Sequence, residues 1–198
     1  MSSWDKVERA LQNSVDIVVA ALLQGRGRRA IDGGAYKGFF ARLLPPFFQH
    51  VEMFEPNGFV HPALTANTYV YDCMTLHPEG LSNKAGYARL GNPDASNRDF
   101  FYLREDTGPV SLVPLDEFAF RDVDLIKLNI EGMELAALHG SRQTIARCRP
   151  LILVEEKGHG ERFGVSAGSI AAFLAPFGYL RTTRSKGMWL YATKKKGA

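Results

Sequence analysis

The chain is 198 residues long, 45% hydrophobic and 23% charged, with a formal net charge of +3. This is the profile of one globular domain with room for a substantial core. Two cysteines, Cys73 and Cys148, are too few and too far apart for a disulfide framework or a metal knuckle, and both are expected to be reduced, as in a cytoplasmic protein.

Two further classes are disfavoured at the outset. The longest apolar run, 17–23, is well short of the ~20 residues that span a bilayer, and no signal-peptide pattern is visible. The basic clusters, Arg26 with Arg28 and Arg29 and the terminal Lys194-Lys195-Lys196, lack the interleaved aromatics of a single-strand nucleic-acid platform.

Within 4–24, apolar residues recur at Val7, Leu11, Val15, Val18, Leu22 and Leu23, close to helical spacing, and Gly25 and Gly27 end the pattern. Residues 1–27 are read as a helical extension packed across the core as a lid or side layer, 28–193 as the main domain, and 194–198 as a basic tail. From Arg29 onward short apolar runs alternate with helical patterns, the signature of a right-handed βαβ sheet. A strand over 29–32 runs into Asp32-Gly33-Gly34-Ala35-Tyr36-Lys37-Gly38, followed by an expected helix over 37–44 and a Pro45-Pro46 stop. A second strand over 51–55 ends in Glu55-Pro56, and a helix starts near Gly58.

These two strand ends together describe a nucleoside pocket. The glycine turn lets the backbone approach a ligand closely, and Glu55 can accept hydrogen bonds from both ribose hydroxyls. The spacing differs from the Gly-x-Gly-x-x-Gly of dinucleotide binders. A pyrophosphate favours a helix N-terminus free of anions, whereas Asp32 sets a carboxylate beside the turn. A ligand with a cationic centre and no phosphate, such as S-adenosylmethionine (SAM), suits it better. Taken alone, the glycine turn also suits a flavodoxin-like loop.

Next come a strand over 74–77, a turn over 78–82, and a β excursion formed by 85–90 and 100–104 around the polar loop 91–99. A loop over 105–109 is placed where it could cover a site. A fourth parallel strand is expected over 124–129, then a helix over 134–146, a strand over 151–155 and a helix over 166–176. Strands over 179–183 and 188–193 close the chain as an antiparallel hairpin. The expected fold is α/β, a Rossmann-like, mainly parallel class I SAM-methyltransferase sheet ending in that hairpin.

The segment Lys127-Leu128-Asn129-Ile130-Glu131-Gly132-Met133-Glu134 resembles the Lys-Ile-Asp-Val-Glu-Gly-x-Glu hallmark of the FkbM-type SAM-dependent methyltransferase family. The resemblance extends to Asp32-Gly33-Gly34-Ala35 at the cofactor turn, Phe54-Glu55-Pro56, Gly80-Leu81-Ser82-Asn83, Leu115-Asp116-Glu117-Phe118, the strand over 150–155 that ends in glutamate, and His159 shortly after it. It covers roughly 30–179. It implies SAM bound by Asp32, Gly33, Gly34, Ala35, Glu55, Pro56, Leu81 and Asn129, and O-methylation of a hydroxyl on a sugar or another small natural-product acceptor. One position departs from the pattern. Asn129 stands where the family has aspartate, and an amide neither accepts a proton nor binds a metal strongly.

The residues themselves distribute the roles. Asp32 is expected to face the methionine part of SAM or to cap the following helix. Lys127 is either a structural ion-pair partner or a catalyst. Alternation puts Asn129 and Glu131 on the same side of their strand end, so Glu131 is expected to take the acceptor's proton, with Asn129 positioning the reacting groups and His159 as the alternative base. Glu155 or Glu156 could also reach the acceptor. No metal is required on this reading, and no His-Glu-x-x-His spacing occurs, although Glu131, Glu155 and Glu156 offer oxygen ligands for a divalent ion. An N-methyltransferase acting on nucleic-acid bases would carry Asn/Asp-Pro-Pro-aromatic where this chain has Asn129-Ile130-Glu131-Gly132. A non-catalytic SAM-binding module stays open because of Asn129.

Overall fold

Residues 13–16, 18, 27–91, 102–105, 107–185 and 187–193 are described by a computed structural model. In chain order the regular elements are β1 (Gly27–Gly33), β2 (Phe48–Phe54), α1 (His61–Thr68), β3 (Met74–His77), β4 (Gly80–Leu81), β5 (Gly86–Gly91), β6 (Tyr102–Glu105), β7 (Val110–Val113), β8 (Val123–Leu128), α2 (Glu134–His139), α3 (Arg142–Cys148), β9 (Leu151–Glu155), α4 (Ser169–Leu174), β10 (Tyr179–Ser185) and β11 (Met188–Thr193).

A seven-stranded sheet runs in the order β10-β11-β9-β8-β1-β2-β3. Strands β9, β8, β1, β2 and β3 are parallel, while β11 is antiparallel to both β9 and β10. The expected mainly parallel sheet with a C-terminal hairpin is therefore present. Both faces are covered, and the period-2 alternation sorts the apolar residues of the inner strands into two cores. Ile31, Phe54, Ile126, Leu128 and Val154 face α2, α3 and α4 through Ala137, Leu138, Ile145, Ile170 and Leu174. Ala30, Met53, Leu125 and Leu153 face the opposite way, against Phe40, Leu44 and Leu64. Of the expected N-terminal helix, residues 13–16 and 18 are described and helical, and Val15 and Val18 are buried in that second core. The rest of that helix, most of the loop 91–99 and the terminal lysines lie outside the described residues.

Several elements differ from the sequence expectation. The helix expected over 37–44 is a single 3-10 turn, Ala41–Leu43, because Tyr36 and Gly38 both take left-handed backbone, φ +52° and +80°, which a continuous helix does not admit. The β excursion is a separate four-stranded sheet, β4-β7-β5-β6, that recruits β4 and β7; its residues Ala88, Val110 and Leu112 pack on Met133. The helix expected over 134–146 is split at Gly140-Ser141, where Ser141 Oγ donates back to the Ala137 carbonyl at 2.7 Å. The helix expected over 166–176 starts at Ser169 after Gly168 in a left-handed conformation, and ends in a 3-10 turn over Ala175–Phe177. Among the described residues no helix is long and apolar enough to cross a membrane.

Gly140 explains its helix break. A Cβ there would lie 1.9 Å from the Ser82 carbonyl oxygen and 3.1 Å from Pro114 Cα, both backbone atoms. Gly140→Ala should therefore destabilise the protein by about 1–3 kcal/mol through overpacking, measured by denaturant unfolding. Gly58→Ala, whose Cβ meets nothing within 4 Å, is the control and should leave stability unchanged; equal midpoints for the two variants would refute the packing account.

Candidate functional site

The carboxyl ends of β1, β2 and β8 converge at one sheet edge, as parallel order requires, and the second sheet overhangs them. Between them lies a cavity of about 270 Å³ whose walls include the expected residues Gly34, Glu55, Pro56, Leu81, Asn129 and Glu131. They also include Tyr36, Asn57, Leu90 and Ile130, which sequence reasoning did not single out. Gly34 holds φ +75°, and a Cβ on it would stand 2.0 Å from the Asn129 carbonyl oxygen. Only glycine lets the turn press this closely on the end of β8.

Glu55 is buried at the cavity wall. Its Oε2 accepts the Tyr36 N–H at 2.7 Å and its Oε1 the Asn57 N–H at 2.9 Å. Burial pushes its pKa up, while those two backbone donors pull it down. A carboxylate has about four acceptor positions, so each oxygen keeps one for a ligand hydroxyl. The partner donors follow the glycine turn and Pro56 directly, but only the folded register brings them onto Glu55.

Asp32 sits elsewhere. Its side chain has no exposed surface, and the Lys127 ammonium lies 2.8 Å from Oδ1. Asp32, Gly33 and Ala35 lie beneath the cavity wall and not on it. Paired in this way, Asp32 presents no bare charge to the turn, and the carboxylate that faces the cavity is Glu55. Nor does Asp32 cap a helix, since the segment after it is not one.

Beyond Asn129 the chain enters a strained turn. Glu131 takes φ +58° and Gly132 φ +107°, and a Cβ on Gly132 would lie 2.5 Å from the His159 carbonyl oxygen. The missing side chain lets the loop after β9 close on Glu131, and His159 Nδ1 comes within 2.8 Å of Glu131 Oε2 and 3.7 Å of Glu155 Oε2. With its amide nitrogen turned toward Glu155, Asn129 donates to both carboxylate oxygens, at 2.8 and 3.2 Å. The opposite orientation would set a carbonyl against an acceptor-only group. Lys157 forms an ion pair with Glu155. Burial, and then the neighbouring Glu155 charge, raises the Glu131 carboxyl to about 7.

The neighbouring acids are otherwise engaged. Glu134 is buried, which raises its pKa, and its Oε1 accepts the Ile130 N–H at 2.9 Å, closing the turn that carries Glu131. Glu156 accepts the Tyr191 hydroxyl at 2.6 Å and pairs with Arg181. Of the three acids that could offer oxygen ligands Glu156 is thus engaged elsewhere, and the group that gathers is Glu131, Glu155 and His159, whose ligand-type atoms lie within 4.8 Å of one another. On the far side of this cluster, a second cavity of about 260 Å³ is lined by Glu155, Lys157, His159, Arg181 and Trp189 among others. Asn129 and Glu131, which line the first cavity, thus touch Glu155 and His159, which line the second.

The family model for the methyltransferase FkbM domain matches residues 32–181, a span that holds Glu55, Asn129, Glu131 and His159. No curated protein matches the chain. Among solved structures, a methyltransferase FkbM from Methylobacillus flagellatus KT is similar at TM-score 0.57 and 20% identity, over 87% of this chain and 45% of that one. The present chain thus spans less than half of that protein's length. The N-methyltransferase NodS from Bradyrhizobium japonicum WM9 is similar at TM-score 0.57 and 9% identity, over 98% and 99% of the two chains. NodS in complex with S-adenosyl-L-homocysteine (SAH) is similar at TM-score 0.50 and 9% identity, over 93% and 84%. At these identities the likeness is one of fold, the class I methyltransferase sheet. Matched over most of its length, from the turn after β1 to the start of the terminal hairpin, the chain belongs to the methyltransferase FkbM domain family.

Proposed function

We propose that this protein is a SAM-dependent methyltransferase that methylates a hydroxyl group on a small-molecule or glycan acceptor. The observation that carries the reading is the position of Glu55, a buried carboxylate with acceptor capacity to spare, in the same cavity wall as Asn129 and Glu131. Glu55 would hold the ribose hydroxyls, and the Gly34 turn, which a Cβ would obstruct, would lie against the rest of the cofactor. Bound SAM supplies an electrophilic methyl group on a sulfonium.

The chain's own residues then have two tasks, alignment and proton removal. Asn129, held by Glu155, orients groups at the boundary between the two cavities. Glu131 takes the hydroxyl proton, for which a carboxyl titrating near 7 is matched to neutral pH. His159 is the alternative base. The acceptor would enter from the second cavity, whose lining includes the polar side chains of Glu155, Lys157 and His159.

The test is SAH release from SAM with a panel of hydroxylated metabolites, glycans and amines, run with and without chelator. Turnover is expected with hydroxyl acceptors and should survive chelation, because Lys157 already sets a positive charge against Glu155 and the His159 ring stands against Glu131. Loss on chelation with recovery in Mg²⁺ or Mn²⁺ would instead assign Glu131, Glu155 and His159 as a cation site. Binding of SAM without turnover on any acceptor would favour a non-catalytic module, and transfer to amines alone would refute the O-methylation reading.

A further inference from the structure

We infer that Lys127 is a positioning residue that fixes the ligand-binding turn after β1 to the end of β8, with Asp32 as its counter-ion. This inference rests on the cofactor reading above and adds the device that holds the turn in place. Lys127 and Asp32 are register partners on adjacent parallel strands, and both are buried at 5% and 0% exposure. Burying an ion pair is seldom a net gain in stability, and fixing structure is one attested use of such a pair.

The geometry points to that role. Besides standing 2.8 Å from Asp32, the Lys127 ammonium donates to the Gly34 carbonyl at 2.9 Å and the Gly33 carbonyl at 3.2 Å. An ammonium has three donors and no acceptor; two of them go to the carbonyls of the turn, and Asp32 stands beside it as an ion-pair partner. The Gly33 carbonyl also accepts the Asn129 N–H at 3.1 Å. From the other side, the Gly34 and Ala35 N–H groups donate to the Phe54 carbonyl at 2.9 and 3.3 Å.

The turn is therefore tied to β2 through its N–H groups and to β8 through its carbonyls. Lys127 supplies the charged part of the second tie. Gly34 and Asn129, both in the cavity wall, are held at their mutual distance by it. The Asp32 carboxylate makes no hydrogen bond among the described residues, so its contact with Lys127 is an ion pair that holds the ammonium beside the turn.

Lys127→Met alone strands the Asp32 charge and is expected to lower the melting temperature sharply, so the informative variant is Asp32→Asn/Lys127→Met, which removes both charges. If Lys127 positions the turn, the double variant recovers most of the melting temperature but binds SAH at least tenfold more weakly than wild type by calorimetry. Amide exchange of Gly34, Ala35 and Tyr36, read by NMR without ligand, should also accelerate at least tenfold while Ile31 and Leu125 stay protected. A double variant with wild-type SAH affinity and wild-type exchange at the turn would overturn the inference and leave the pair a stability element. Should wild type itself bind no SAH, the cofactor reading fails and the exchange data alone decide: unchanged exchange overturns the strut, accelerated exchange upholds it.

Discussion

Glu131→Gln is expected to lower turnover by about 10²- to 10⁴-fold, the usual contribution of a general base, while leaving SAH affinity nearly unchanged. The motivation is the site geometry: Glu131 lies in the cavity wall beside Asn129 and 2.8 Å from His159, on backbone held at φ +58°. A non-glycine residue in that region costs free energy that the surrounding fold must offset. The pH dependence follows with a definite sign. The base acts ionised, and burial together with Glu155 raises its carboxyl to about 7, so kcat/KM should climb about tenfold per pH unit below that point and level off above it.

Stability moves the opposite way. A carboxyl whose pKa is higher in the folded than in the unfolded state stabilises the fold fully below its ordinary value of 4.5, and that contribution is lost as pH rises through about 7. The neutral Glu131→Gln should therefore melt no lower than wild type at alkaline pH while losing the ascending limb of its rate profile. If SAH affinity collapses instead, Glu131 is a cofactor ligand. If turnover survives in Glu131→Gln and disappears in His159→Ala, the two bases exchange roles.

Glu55→Ala should weaken SAH binding by about 1.5–3 kcal/mol, the worth of hydrogen bonds to a charged acceptor. The structure adds a second cost. The Tyr36 and Asn57 N–H groups lose the carboxylate that both now use, and a buried donor left unpaired costs about 1–3 kcal/mol. Glu55→Ala should thus lower both affinity and melting temperature, whereas Glu55→Gln keeps the volume and one carbonyl acceptor and should fall between alanine and wild type on both. Calorimetry that finds unchanged SAH affinity in Glu55→Ala would remove Glu55 from the cofactor pocket and with it the main support for the donor site.

Most of the frame was legible in the sequence because the parallel strands are buried on both faces. Runs such as 51–54 and 125–128 are therefore mostly apolar over a strand's length, each with one charged residue, Glu52 and Lys127, that finds an ion-pair partner in the fold, Arg29 and Asp32. Once those runs are strands of one parallel sheet, topology puts Glu55 and Asn129 at the same edge. Local chemistry also sufficed for the glycine turn, but not for Glu131: β8 ends at Leu128 and Glu131 takes φ +58°, so the turn, and not strand alternation, brings it into the same cavity wall as Asn129.

Contacts between segments distant in sequence decided the rest. The breaks at Gly38 and Gly140 answer to tertiary neighbours, Thr68 and Leu64 in one case and Ser82 and Pro114 in the other, and helical periodicity carries no trace of these. The second sheet depends on β4, a two-residue strand pairing with β7 about 30 positions away, too short to register as a pattern. Asp32 read as a ligand because it ends a strand beside a glycine turn; the pairing of β1 with β8 sets it opposite Lys127 instead. His159 reaches Glu131 only because Gly132 leaves room for its backbone. The sequence by itself determined the elements and the edge at which chemistry gathers; the direction of each buried carboxylate belongs to the tertiary structure, because a charge in a core is placed by the partner that neutralises it.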